Sequence, residues 1–113
     1  MRLLASALLV TGLLSNVALA NGPRFFCESL DGVKAVRVAP GPWGKMQANV
    51  YHQGSLYKSL KCEMNVAGML YSCQDDAVPP ARFTLQYDRV NGRYDGTRDV
   101  RDLVCRYLGE TAE

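Results

Sequence analysis

"KMQANVYHQGSLYKSLKCEMNVAGMLYSCQ", residues 45–74, is the stretch on which the fold turns. In its first part Met46, Ala48 and Val50 alternate with Lys45, Gln47 and Asn49. In its second part Leu56, Leu60, Cys62 and Met64 fall on one face, and "MLYSCQ" (69–74) follows. Alternation with period 2 is the mark of a strand that buries one face. Between the runs stand Gln53-Gly54 and Ala67-Gly68, two-residue links whose glycine supplies the positive φ that a tight hairpin turn demands. Strands joined by so short a link are antiparallel neighbours. These thirty residues therefore read as a three-stranded meander.

The pattern extends in both directions. Upstream, "RFFCESL" (24–30) and "VKAVRVA" (33–39) flank Asp31-Gly32. Downstream, "ARFTLQYDRV" (81–90) places Phe83, Leu85 and Tyr87 on one face, and Asn91-Gly92 is the expected turn into "RYDGT" (93–97). The last run, "VRDLVCRYL" (100–108), has Leu103, Cys105 and Tyr107 in phase. It also fits a helical spacing through Val100, Leu103, Val104 and Tyr107, with Gly109 as a stop, so a closing helix is the alternative there. The expectation is an all-β chain: an antiparallel meander of seven to eight strands, curled into a small β-barrel or sandwich.

The first twenty residues differ from the rest. Arg2, an apolar run from Leu3 to Leu14 and the small-residue ending Ala18-Leu19-Ala20 have the form of a secretory signal peptide. The run is short of the roughly 20 residues needed to span a bilayer. Residues 1–20 are thus expected to be a cleaved signal, and residues 21–113 a single periplasmic or secreted β domain with no stable membrane insertion. Without Arg2 that domain has 12 basic and 11 acidic side chains, which gives no long-range field to attract nucleic acid.

Cys27, Cys62, Cys73 and Cys105 all lie in the expected mature domain. An even cysteine count in a small exported chain implies disulfides. The spacings suit neither a zinc site nor a redox C-x-x-C motif, and His52 is the only histidine, so no metal or cofactor is expected. If Ala67-Gly68 is a two-residue turn, Met64 faces Tyr71 and Cys62 faces Cys73. That register puts the cysteines on a hydrogen-bonded rung, whose wider spacing suits a bridge poorly unless a bulge or longer loop intervenes. Cys27 and Cys105 then join the first strand to the last. The rival pairing, Cys27–Cys62 with Cys73–Cys105, stays open.

Chemistry is hard to find. His52 has no nucleophile assigned beside it and is expected exposed at a strand end. Asp75 and Asp76 are adjacent and read as loop acids before Pro79-Pro80. In "DRVNGRYDGTRDVRD" (88–102) arginine and aspartate alternate, which reads as an internally paired hairpin or as a protein-binding edge. The candidate partner-binding residues are Trp43, in the rigid "PGPWG" loop, with Arg93, Tyr94 and Arg98. No motif names a family. The expected function is a non-enzymatic domain that binds another protein, as an inhibitor or immunity protein against a secreted hydrolase or toxin. The alternatives are a small-ligand-binding barrel and, last, a small secreted enzyme.

Overall fold

The alternation read from the sequence becomes an inside and an outside. In the computed structural model, which describes residues 22–41, 44–65 and 70–110, eight antiparallel strands close into a barrel in sequence order. They are β1 (Arg24–Glu28), β2 (Lys34–Pro40), β3 (Met46–His52), β4 (Ser55–Asn65), β5 (Leu70–Gln74), β6 (Arg82–Leu85), β7 (Asn91–Asp95) and β8 (Val100–Gly109). β8 is a strand and not a helix, paired with β7 on one side and β1 on the other. The signal-peptide assignment of residues 1–20, Trp43 and the Ala67-Gly68 turn lie outside the described residues.

Every strand sends side chains inward. Phe25, Val36, Val38, Ala48, Val50, Leu60, Tyr71, Phe83, Leu85, Tyr94 and Leu103 are all buried and form one core with the cysteines. An eight-stranded barrel has an interior just wide enough for such side chains to fill. Gly92 shows how tightly: a Cβ there would stand 2.9 Å from the Phe83 ring and 3.0 Å from Cys105 Sγ.

Both favoured disulfides are present, Cys62–Cys73 across β4 and β5 and Cys27–Cys105 across β1 and β8. The register Cys62↔Cys73 and Met64↔Tyr71 is the one expected. The rung is not. The Cα atoms of Cys62 and Cys73 are 3.9 Å apart, which belongs to the closely spaced, non-hydrogen-bonded kind of pair rather than the wide kind.

Three local expectations are corrected. Asn91-Gly92 is not a turn but the start of β7. The reversal comes earlier, where Asp88 Oδ1 accepts from the amides of Val90 (3.0 Å) and Asn91 (3.1 Å) and Arg89 takes the positive φ of 63°. That early turn leaves Tyr87 exposed instead of in phase with Leu85. Leu56 is also exposed, because the β3–β4 register shifts between Val50 and Tyr51, pairing them with Lys58 and Leu56 and leaving Tyr57 as the extra residue of a bulge. One extra residue reverses which side chains face in. The Gln53-Gly54 link is the tight turn expected, with φ of 51° and 84°.

Candidate interaction face

Four connections meet at one end of the barrel: residues 29–33, 53–54, 75–81 and 96–99. Three of them are fixed by an aspartate that accepts the amide hydrogen two residues on, a local bond that substitutes for strand pairing. Asp31 Oδ1 accepts from Val33 N (3.0 Å) and from Ser29 Oγ (2.7 Å). Asp75 Oδ1 accepts from Ala77 N (3.2 Å) and Ala81 N (3.0 Å). Asp95 Oδ1 accepts from Thr97 N (2.9 Å). The hydrogen bond from Ser29, then those from Val33 and Arg101, hold the Asp31 carboxyl down at about 2. Burial pushes Asp75 up, but the Ala81 amide and Lys58 outweigh it and its value is lowered.

Beneath these loops the barrel is stoppered by charge. Lys34 lies on the inward face of β2, in phase with Val36 and Val38, and is 2% exposed. Its Nζ is 2.7 Å from Asp99 Oδ2 and 3.1 Å from His52 Nδ1. It also stands 5.2 Å and 5.1 Å from the ring centres of Tyr57 and Tyr94. Arg101 continues the chain, Nε donating to Asp99 Oδ1 (2.8 Å) and Nη1 to Asp31 Oδ2 (2.7 Å). Lys58 Nζ is 3.2 Å from Asp75 Oδ2. The plug thus ties residues from all four connections or the strand ends beside them. Lys34 and then Arg101 hold Asp99 below the usual carboxylate range. Burial foremost, then Tyr57, pushes Tyr94 up to about 12.

What this cluster can do chemically is limited by its own bonding. An ammonium has three donors and no lone pair. Lys34 therefore spends its charge on Asp99, and His52 Nδ1 must be the acceptor nitrogen. His52 is half-buried, not exposed as expected. Among the described residues no group of three His, Cys, Asp or Glu side chains could hold a metal ion.

Around the plug stand apolar side chains with little cover. Leu30 is 96% exposed and Val78 97%, and Leu56, Tyr57 and Val100 are each about half exposed. Each of the four connections, or the strand start beside it, contributes at least one. Of the residues singled out from the sequence, Arg98 lies in the 96–99 connection at this end and is exposed. Arg93 points outward from β7, 3.6 Å from Asp102 Oδ1. Tyr94 points inward and is 1% exposed, its ring packed under Lys34 and against Gly96, so it is not part of the surface. Sequence reasoning passed over Lys34, although its phase with Val36 and Val38 was the signal that placed it inside. No protein-family model, curated protein or solved structure matches the chain.

Proposed function

We propose that this chain is an exported, non-enzymatic domain that binds another protein, as an inhibitor or immunity protein against a secreted hydrolase or toxin. The rim around the Lys34–Asp99 plug is the face that meets the partner. One observation carries this reading: Leu30 and Val78 are almost fully exposed on connections that are nonetheless held by hydrogen bonds. Apolar side chains so placed cost solubility and mark interaction sites when they cluster. Loops already ordered lose little entropy on binding. Tyr57 and Arg98, of types enriched at binding hot spots, stand on the same end. Two disulfides suit an oxidising compartment outside the cytosol. The side-chain-filled interior counts against the small-ligand reading.

The test joins capture to mutation. The oxidised protein, immobilised, should retain a hydrolase or toxin from the secreted fraction of its source, and the purified pair should re-form with loss of the partner's activity. Tyr57→Ala and Arg98→Ala should each weaken that pair by about 1–3 kcal/mol, and Leu30→Asp with Val78→Asp should abolish it at unchanged melting temperature. Undiminished affinity in all of these would remove the rim from the interface. Recovery of a small molecule and no protein would replace the proposal with the ligand-binding alternative.

A further inference from the structure

On the barrel wall, below the 29–33 connection, a second arrangement has its hydrogen-bonding capacity turned outward. Phe26 points out from the middle of β1, and its register partners are Arg37 on β2 and Arg106 on β8. Both guanidinium carbons stack on the Phe26 ring, at 5.6 Å and 5.2 Å from its centre. Stacking on an aromatic face holds a guanidinium without using its N–H donors. Both arginines are exposed, and among the described residues neither guanidinium forms a hydrogen bond or an ion pair. Arg101 and Arg93, by contrast, are engaged with aspartates.

The row continues across the sheet. Arg37 faces Asn49 on β3, and Asn49 faces Ser59 on β4. Asn49 Oδ1 accepts from Ser59 Oγ (2.8 Å) and from Gln47 Nε2 (2.9 Å). Two donors on the carbonyl oxygen fix the amide's orientation and leave its NH2 group as a donor. The row from Arg106 through Arg37 to Asn49 therefore offers donors alone. Neighbouring strands are about 4.8 Å apart, so the two guanidiniums rise from strands about 10 Å apart. Shallow depressions of about 370 and 360 Å³ flank Phe26, one towards β8 and one towards β2 and β3. Glu28, the next outward residue on β1, is the one acid beside Phe26 on that strand, and it forms no ion pair with either arginine.

We infer that this row is an anion-binding site that takes the carboxylates of an acidic polypeptide segment lying across β8, β1, β2 and β3. A guanidinium fork matches a carboxylate with two parallel hydrogen bonds. The aromatic surface between the forks is approached by a guanidinium from each neighbouring strand, which leaves it poorly placed to stack on a sugar ring. The near-neutral balance of 13 basic against 11 acidic residues makes this a short-range site, not a general attraction for polyanions.

The experiment uses the oxidised protein and a poly-L-glutamate of about twenty residues, followed by fluorescence anisotropy at low and physiological salt. Saturable binding that weakens with salt is expected. Arg37→Gln with Arg106→Gln should weaken it at least tenfold, and Tyr57→Ala with Val78→Asp, rim residues that line neither depression, should leave it unchanged, which separates this site from the rim. Arg37→Lys with Arg106→Lys keeps the charge and the aliphatic stems but not the forks. It should lose several-fold, and it serves as the reading should the glutamine pair fail to fold. Absence of saturable binding, equal affinity in the lysine pair, or tighter binding of a polyuronate than of polyglutamate would overturn the assignment.

Discussion

Lys34 poses the sharpest question of energetics at the residue scale, because a buried ammonium is costly unless its charge is met. Here it is met by Asp99, which is about one-third exposed and is held in addition by Arg101. The two partners are therefore not equivalent. Asp99→Asn leaves a cation buried against two aromatic rings and a histidine, and should cost about 2–4 kcal/mol, below the top of the range for fully buried pairs because water reaches the acid. Lys34→Met keeps the volume and leaves Asp99 with Arg101 and solvent, so about 1 kcal/mol or less is expected. Urea denaturation of the two variants checks the order; a lysine variant as damaged as the asparagine one would contradict it. Tyr94 gives the matching prediction in alkali. Burial holds its hydroxyl up at about 12 in the fold, against about 10 in an unfolded chain. A raised pKa on an acid means that the folded state favours the neutral form. The contribution is complete below pH 10 and is lost as pH rises towards 12, to the extent of roughly 2–3 kcal/mol. In a tyrosinate absorbance titration, Tyr94→Phe should remove a late-titrating component and leave the early ones unchanged.

Single strands show how far local pattern reaches. β2, β3 and β6 alternate cleanly in the sequence and do so in the barrel, where Val36, Val38, Ala48, Val50, Phe83 and Leu85 are all buried. β4 was legible only in part: Leu60 faces in as its phase demands, but the bulge at Tyr57 turns Leu56 outward, and no residue type announces a bulge. Asn91-Gly92 misled for a different reason. It is a strong turn signal in isolation, yet Asp88 captures the amides of Val90 and Asn91 first and completes the reversal before the pair is reached. The plug was illegible because it needs closure: Asp31 and Arg101 are 70 positions apart in the chain and 2.7 Å apart in space. Gly92 has its own test on β7. Alanine there would press a methyl group on Phe83 and on the Cys105 sulfur, and overpacking of this kind costs about 1–3 kcal/mol. Phe83→Leu in the same chain should recover part of that loss, whereas strictly additive effects in a double-mutant cycle would show that the contact is not the cause.

For the whole molecule, closure is what removes the unpaired edges that would otherwise seed association. The seam between β1 and β8 joins the first strand to the last, and Cys27–Cys105 is sewn across it at a sequence separation of 78. Cys62 and Cys73, within one hairpin, are separated by 11 positions. In the chain-entropy model the long loop is worth roughly 4 kcal/mol and the short one about 2–3 kcal/mol. Packing widens the gap, since Cys27 and Cys105 belong to the buried core while Cys62 is only partly buried. Replacing Cys27 and Cys105 with alanine should therefore destabilise the domain more than replacing Cys62 and Cys73. The two variants should also fail differently. Loss of the seam frees β1 and β8 as edges, so their amides should exchange with solvent first and the protein should aggregate on warming. Loss of the hairpin bridge leaves the barrel closed, and the rim, built on the other connections and on the Lys34 plug, should keep the binding proposed for it. Denaturation and hydrogen exchange on the two variants decide this. Equal destabilisation, with no selective exposure of β1 and β8, would mean that the hydrogen-bonded seam holds the barrel shut without its disulfide.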